Sequence, residues 1–153
     1  MRLRPAKRED IKEMVKVYLE SYRGLEEYAY NHPDDVQAYL DWLFRRDAEG
    51  IWLAQDCGQV VGFVAGDRRW FSKREGKVVG ALHELVVLPA HRRKGIGRSL
   101  VERAFEHFRD RALDTVELWV GDENRPAMSF YKRLGFQERD RFNYWLRMTR
   151  PLK

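Results

Sequence analysis

Leu85-Val86-Val87-Leu88-Pro89-Ala90-His91-Arg92-Arg93-Lys94-Gly95-Ile96-Gly97-Arg98 is the stretch on which the fold turns. A short apolar run meets a breaker, Pro89, and then a turn carrying two glycines. Beyond it Ile96, Leu100, Val101, Ala104, Phe105 and Phe108 recur at spacings of three and four, the stripe of an amphipathic helix. A strand therefore feeds a glycine-bearing turn, and the turn feeds a helix. Such a turn leaves consecutive backbone N–H groups unpaired at the positive end of the helix dipole, which suits a phosphate or pyrophosphate. Gly95 and Gly97 let backbone approach a ligand closely. Arg92, Arg93, Lys94 and Arg98 add cations at the same place. The expected feature is an anion cradle, with a cofactor as the expected anion.

The cradle has neither the Gly-Lys-Ser/Thr ending of a P-loop nor the three glycines and distant acidic residue of a dinucleotide fingerprint. It reads as Arg/Gln-x-x-Gly-x-Gly/Ala. Downstream, Val116 to Val120 reads as a strand broken by Gly121-Asp122-Glu123-Asn124. Pro126 to Leu134 reads as a helix with proline in its first turn and Gly135 as its stop. Asn124, Ala127, Phe130, Tyr131, Gly135 and Phe136 form an Asn-x-x-Ala-x-x-x-Tyr-x-x-x-Gly-Phe pattern. One helix and one strand separate the two motifs. Together they resemble the acetyl-coenzyme A signatures of the GNAT N-acetyltransferase superfamily, well over residues 58–147 and only in the order of elements before that.

The chain has 153 residues, 44% of them hydrophobic, with five Trp, seven Tyr and eight Phe. That is enough for one domain with a core of its own, residues 1–153, and excludes a disordered polymer. No run approaches a membrane span, and Met1-Arg2-Leu3-Arg4-Pro5 lacks a signal-peptide core. With a single cysteine, Cys57, the chain forms no internal disulfide, and a cytoplasmic location is expected. The net charge of +5 admits nucleic-acid binding. However, the basic residues are spread along the chain, with local concentrations at Arg68-Arg69, Arg92 to Lys94 and Arg139 to Arg141. Coenzyme A phosphates would use part of the excess.

Along the chain, Arg2 to Arg4 is expected to be a short strand. A helix follows from near Asp10, with Ile11, Met14, Val15, Tyr18 and Leu19 as its stripe, and a second runs from about Asp34 to Arg46 with Val36, Tyr39, Leu40, Leu43 and Phe44. Asp56-Cys57-Gly58-Gln59 should turn an antiparallel hairpin between Ile51–Gln55 and Val60–Asp67. Arg68 to Lys77 reads as a loop into a central strand around Ala81 to Leu88. Gln137–Arg139 and Phe142–Arg147 read as the last pair of strands. The order β-α-α-β-β-β-α-β-α-β-β is the one this superfamily uses. It implies an α/β fold: a twisted mixed sheet of about six or seven strands with about four helices on both faces.

The resemblance implies an acetyl-CoA-dependent N-acetyltransferase acting by direct attack of a primary amine within a ternary complex. The amine would be a small molecule, a protein N-terminus or a lysine, and a homodimer is compatible with the sequence. Leu85, Val86 and Val87 would hold the pantetheine arm and polarise the carbonyl. Arg92, Arg93, Lys94, Gly95, Ile96, Gly97 and Arg98 would hold the pyrophosphate, and Asn124 would touch the cofactor. Tyr131 takes the place of the family's general acid for the departing thiolate. Glu84 is the candidate base, because a carboxylate in an apolar strand is costly unless used or paired. The alternative is an ion pair with His83 or an arginine. His83 is the understudy, yet strand alternation puts it on the face opposite Glu84. Some relatives that acetylate protein N-termini carry a glutamate where this chain has Trp119, which counts against a ribosomal-protein acetyltransferase. Cys57 lies far from both motifs, so no covalent acyl-enzyme is expected. The histidines show no metal-ligand spacing, and no metal is expected.

The acceptor groove implied by the resemblance holds Tyr22, Glu26, Glu27, Tyr28, Tyr30 and Asp34. Two readings compete with catalysis: a non-catalytic acyl-CoA sensor and a basic nucleic-acid-binding domain.

Overall fold

The computed structural model of the chain describes residues 1–152. Its elements are β1 (Arg2–Pro5), α1 (Ile11–Ser21), α2 (Pro33–Asp47), β2 (Ile51–Asp56), β3 (Gln59–Ser72), β4 (Lys77–Val87), α3 (Ile96–Arg109), β5 (Thr115–Gly121), α4 (Arg125–Arg133), β6 (Gln137–Phe142) and β7 (Trp145–Pro151). The strands form one seven-stranded sheet in the order β1-β2-β3-β4-β5-β7-β6. Every pairing is antiparallel except β4 with β5, whose connection is the α3 crossover. The expected order of elements is the observed one.

Both sheet faces are covered. On one, α3 and α4 bury Leu100, Phe105, Phe108 and Tyr131 against Val64, Val116 and Met148. On the other, α1 and α2 bury Met14, Val36 and Leu40 against Leu53, Phe63 and Val86. Helix starts follow local chemistry: α2 has Pro33 at its first turn, and the His32 Nδ1 accepts from the Asp34 N–H at 3.1 Å. The β2–β3 hairpin turns through Cys57 (φ 53°) and Gly58 (φ 79°), the paired positive φ values that a type I′ turn requires.

Several boundaries differ from the sequence reading: β4 begins at Lys77 rather than around Ala81, and β6 runs to Phe142 rather than Arg139. The stretch Arg68–Ser72, read as loop, continues β3, with Trp70, Phe71 and Ser72 opposite Val79, Val78 and Lys77. The ladder breaks between Asp67 and Trp70. There the Arg68 and Arg69 N–H groups donate to the Asp47 and Asp67 carboxylates, each at 2.9 Å, so polar residues sit in the strand without orphaning backbone. The last strand begins at Trp145 rather than Phe142, because Asn143 (φ 55°) turns the chain there.

Candidate active site

β4 and β5 pair at only three positions, Gly80–Val116, Ala81–Glu117 and Leu82–Leu118. Yet β4 runs on to Val87 and β5 to Gly121. Past Leu82 the two strands diverge and a narrow cavity of about 70 Å³ opens between them. Glu84 and Leu85 line one side, Leu118 and Val120 the other, with Asn124 and Tyr131 from α4. On this side the backbone from His83 to Val87 has no strand partner.

The mouth of the divergence leads to the glycine turn. Arg93 (φ 64°) and Gly95 (φ 83°) both take the left-handed conformation. No protein atom lies within 4 Å of a Cβ built on Gly95, so conformation and not space demands glycine there. Among the described residues the N–H groups of Arg93 to Arg98 meet no acceptor, and Ser99 is the first to bond back, to the Gly95 carbonyl at 3.1 Å. This is the fan of free donors that an anion needs. Gly97 serves a different end. A Cβ there would sit 3.3 Å from the Phe130 ring, so it brings α3 close to α4. Arg92 has its Nε on the Val87 carbonyl and an Nη on the Ser21 carbonyl, both at 2.9 Å. Asn124 caps α4, its Oδ1 facing the Ala127 N–H at 3.4 Å.

Glu84 is buried at the junction of this slot with a larger cavity. Among the described residues it has no cationic partner: Tyr22 donates to Oε2, and Tyr39 donates to Oε1 at 2.9 Å. Burial pushes the carboxyl up to about 7, and the hydrogen bonds from Tyr22 and Tyr39 only partly oppose that. A carboxyl poised there exchanges protons near neutrality. Tyr131 is buried between the Phe130 and Phe136 rings. Burial, and then the Glu84 charge, raise its hydroxyl well above the usual phenol range. It is thereby kept protonated, as a proton donor must be.

The expectation that His83 faces away from Glu84 is corrected by a β-bulge. Ala65 lies opposite Glu84 and Gly66 opposite Leu82, leaving His83 as the extra residue. Leu82, His83 and Glu84 consequently line one cavity. His83 is fixed there by Asp67, Nε2 to Oδ2 at 2.9 Å, with the Trp42 and Trp70 rings against its own. Burial works to raise the Asp67 carboxyl, but hydrogen bonds from His83, Arg46 and the Arg69 N–H hold it at about 2.

The larger cavity, about 660 Å³, is open to solvent. The α1–α2 connection contributes Tyr22, Glu27, Tyr28 and Tyr30 to it, while Glu26 and Asp34 lie outside its lining. Glu26 instead accepts from the Gly24 N–H at 3.0 Å. Sequence reading missed Tyr39, which looked like one more member of the α2 stripe, and Arg74, Phe142, Tyr144 and Trp145, which only the fold gathers. Tyr28 closes the wall between the two cavities. Its hydroxyl donates to Asp122 Oδ1 at 3.1 Å and accepts from the Glu123 N–H at 2.9 Å. Its ring lies where a Cβ on Gly121 would be 2.5 Å away. Among the described residues no cluster of three or more His, Cys, Asp or Glu is placed to hold a metal, and no helix is long and apolar enough to cross a membrane.

Comparison with known proteins agrees with this arrangement. An uncharacterized N-acetyltransferase of Archaeoglobus fulgidus is 49% identical over 131 residues, 86% of this chain and 89% of the relative. A crystal structure from Pyrococcus horikoshii OT3 superposes with a TM-score of 0.89 at 35% identity, covering 98% of this chain and 97% of that one. The PaiA N-acetyltransferase of Thermoplasma acidophilum, solved in complex with coenzyme A, shares the fold with a TM-score of 0.78 at 19% identity, covering 98% of each chain. The acetyltransferase (GNAT) family model matches residues 11–136, which contain the splayed strands, the glycine turn and Tyr131. The chain belongs to the GNAT acetyltransferase family.

Proposed function

We propose that this chain, as a single domain, transfers an acetyl group from acetyl-CoA to a primary amine by direct attack within a ternary complex. The observation that carries the reading is the meeting at Glu84 of two cavities, a narrow slot between splayed strands and a wide aromatic groove. The slot and the turn fit the cofactor: among the described residues the N–H groups from Arg93 to Arg98 meet no acceptor, and the space at Gly95 is open. Arg93, Lys94 and Arg98 would neutralise phosphate charge, and the backbone of Leu85 to Val87 with Asn124 would hold the pantetheine arm. When bound, acetyl-CoA supplies an activated acetyl group whose C–S bond breaks as the C–N bond to the amine forms.

The chain's residues manage the protons. Glu84, ionised in part near pH 7, takes the proton the amine must lose, directly or through water. Tyr131, held protonated, gives one to the departing sulfur. With an amine that reaches the site neutral, the protein ends each cycle with Glu84 protonated and Tyr131 ionised; Glu84 loses its proton through the open groove it lines, and Tyr131 regains one through the slot. Cys57 is exposed in the β2–β3 turn and takes no part in this reading.

The test is acetyl-CoA binding by calorimetry, paired with thiol release across a panel of amines. Binding with turnover is the expected result. Binding without turnover on any amine would favour an acyl-CoA sensor instead.

A further inference from the structure

Among the described residues seven large hydrophobic side chains are exposed, and four of them, Tyr30, Trp119, Phe142 and Tyr144, stand around the wide cavity. Isolated exposed rings are ordinary, but a ring of them around one concave site marks a binding surface.

The charges of that cavity are few and mostly committed. Four ionisable groups other than tyrosines line it: Glu84 at its depth, the exposed Glu27, His83 and Arg74. His83 is held by Asp67. Arg74 lies over the Trp119 ring, 5.1 Å from its centroid, and pairs with Asp140, so a guanidinium forms part of the wall. One ammonium group can sit near Glu84 among tyrosine rings, where carboxylate and ring faces both attract it. A second or third ammonium along the same molecule would find only Glu27 at the rim and would approach Arg74. The walls are also set in advance. Tyr28 is pinned through its hydroxyl on both sides, and Tyr22 and Tyr39 are held on Glu84. Rings held in place favour a flat ligand without an ordering cost.

We infer that the groove takes a primary amine with one positive charge carried on an aromatic or otherwise flat apolar body, in preference to polyamines. This rests on the acetyl-transfer reading and narrows its acceptor. Tyr30, Trp119 and Tyr144 contact the body of the substrate, Glu84 receives its amine, and Arg74 turns away amines with further positive charges.

The test compares kcat/KM for 2-phenylethylamine, propylamine, spermidine and a peptide N-terminus, with acetyl-CoA binding measured calorimetrically on the same preparation. Burying one phenyl ring predicts 2-phenylethylamine ahead of propylamine by roughly tenfold or more. Spermidine should fall below 2-phenylethylamine by a similar factor. Tyr144→Ala should lower the ratio of 2-phenylethylamine to propylamine by about fivefold, the loss expected for one aromatic contact. Arg74→Ala should raise spermidine relative to propylamine. Spermidine equal to or better than 2-phenylethylamine would overturn the inference and leave acetyl transfer standing. So would a peptide N-terminus preferred whatever its first side chain. Acetyl-CoA binding with no thiol release on any amine would remove the transferase reading, and this one with it.

Discussion

Replacing Glu84 by glutamine should make the protein a poorer enzyme and, above neutral pH, a more stable fold. Burial raises the carboxyl from its ordinary 4.5 to about 7, so the folded chain holds this proton more tightly than the unfolded chain does. Protonation therefore favours the fold. The contribution is complete below pH 4.5 and is lost as the pH rises through 7, a difference of about 3 kcal/mol. Glu84→Gln never ionises and avoids that loss. It does forfeit one hydrogen bond, because an amide presents one oxygen to two donors, Tyr22 and Tyr39. Facing a tyrosine hydroxyl with the amide nitrogen costs about 1 kcal/mol. The net expectation at pH 8 is a gain of about 2 kcal/mol, or roughly 5 °C in melting temperature for a domain of this size. At pH 4 the variant should instead melt about 3 °C below the parent. Activity should move the other way, with kcat/KM at pH 7 falling by roughly 10²-fold and the defect shrinking at high pH, where more amine is already neutral. Melting curves and pH–rate profiles on the same preparations decide it. A variant that melts lower at pH 8 and keeps the parent's acidic limb would show that Glu84 is a structural acceptor and that its position at the cavity junction has no catalytic meaning.

Tyr131→Phe keeps the ring between Phe130 and Phe136 and removes only the proton, so kcat should fall by roughly 10²-fold with acetyl-CoA affinity unchanged; normal turnover would reduce Tyr131 to packing. Gly95→Ala puts a Cβ on a left-handed residue, at a stability cost of about 1 kcal/mol, and should weaken acetyl-CoA binding by turning the loop amides; unchanged calorimetric affinity would remove the turn from the cofactor site. Gly121→Ala drives a methyl into the Tyr28 ring, which should lower stability by about 1–3 kcal/mol and raise KM for the amine more than for acetyl-CoA; equal effects on both would mean that Tyr28 does not shape the acceptor groove.

The glycine turn and α4 were legible because their signals are local. An apolar run, a breaker, two glycines and a helical stripe follow one another between Leu85 and Phe108. Asn124, Pro126 and Gly135 mark the bounds of α4 in the same way. Arg68 to Ser72 misled because its composition is polar, yet Asp47 and Asp67 satisfy its backbone from elsewhere in the fold. His83 misled for a different reason. Alternation holds only while the ladder keeps step, and one extra residue opposite the Ala65–Gly66 step brings His83 and Glu84 to the same cavity. Gly66 sits at that step, but a lone glycine in a strand does not say which residue of the partner strand is the extra one. Tyr39 fitted the apolar spacing of α2, and nothing local distinguishes a tyrosine that packs from one that donates to a carboxylate 45 residues away.

Arg92 shows why the two halves of the site cannot be read separately. In sequence it is a cation beside a phosphate-sized turn. In the fold its guanidinium joins the end of β4, through the Val87 carbonyl, to the end of α1, through the Ser21 carbonyl. The next residue after Ser21 is Tyr22, which donates to Glu84. The turn that presents the free N–H groups is thus tied, through one side chain and one peptide unit, to a hydrogen bond that helps set the Glu84 carboxyl. The position of the Glu84 carboxyl depends on α1 and α2 as much as on its own strand, because both tyrosine hydroxyls that donate to it come from those helices or their ends. The glycine turn and the Glu84 carboxyl are therefore linked through Arg92 and Tyr22, so the cofactor and proton-transfer roles proposed for them share one set of hydrogen bonds.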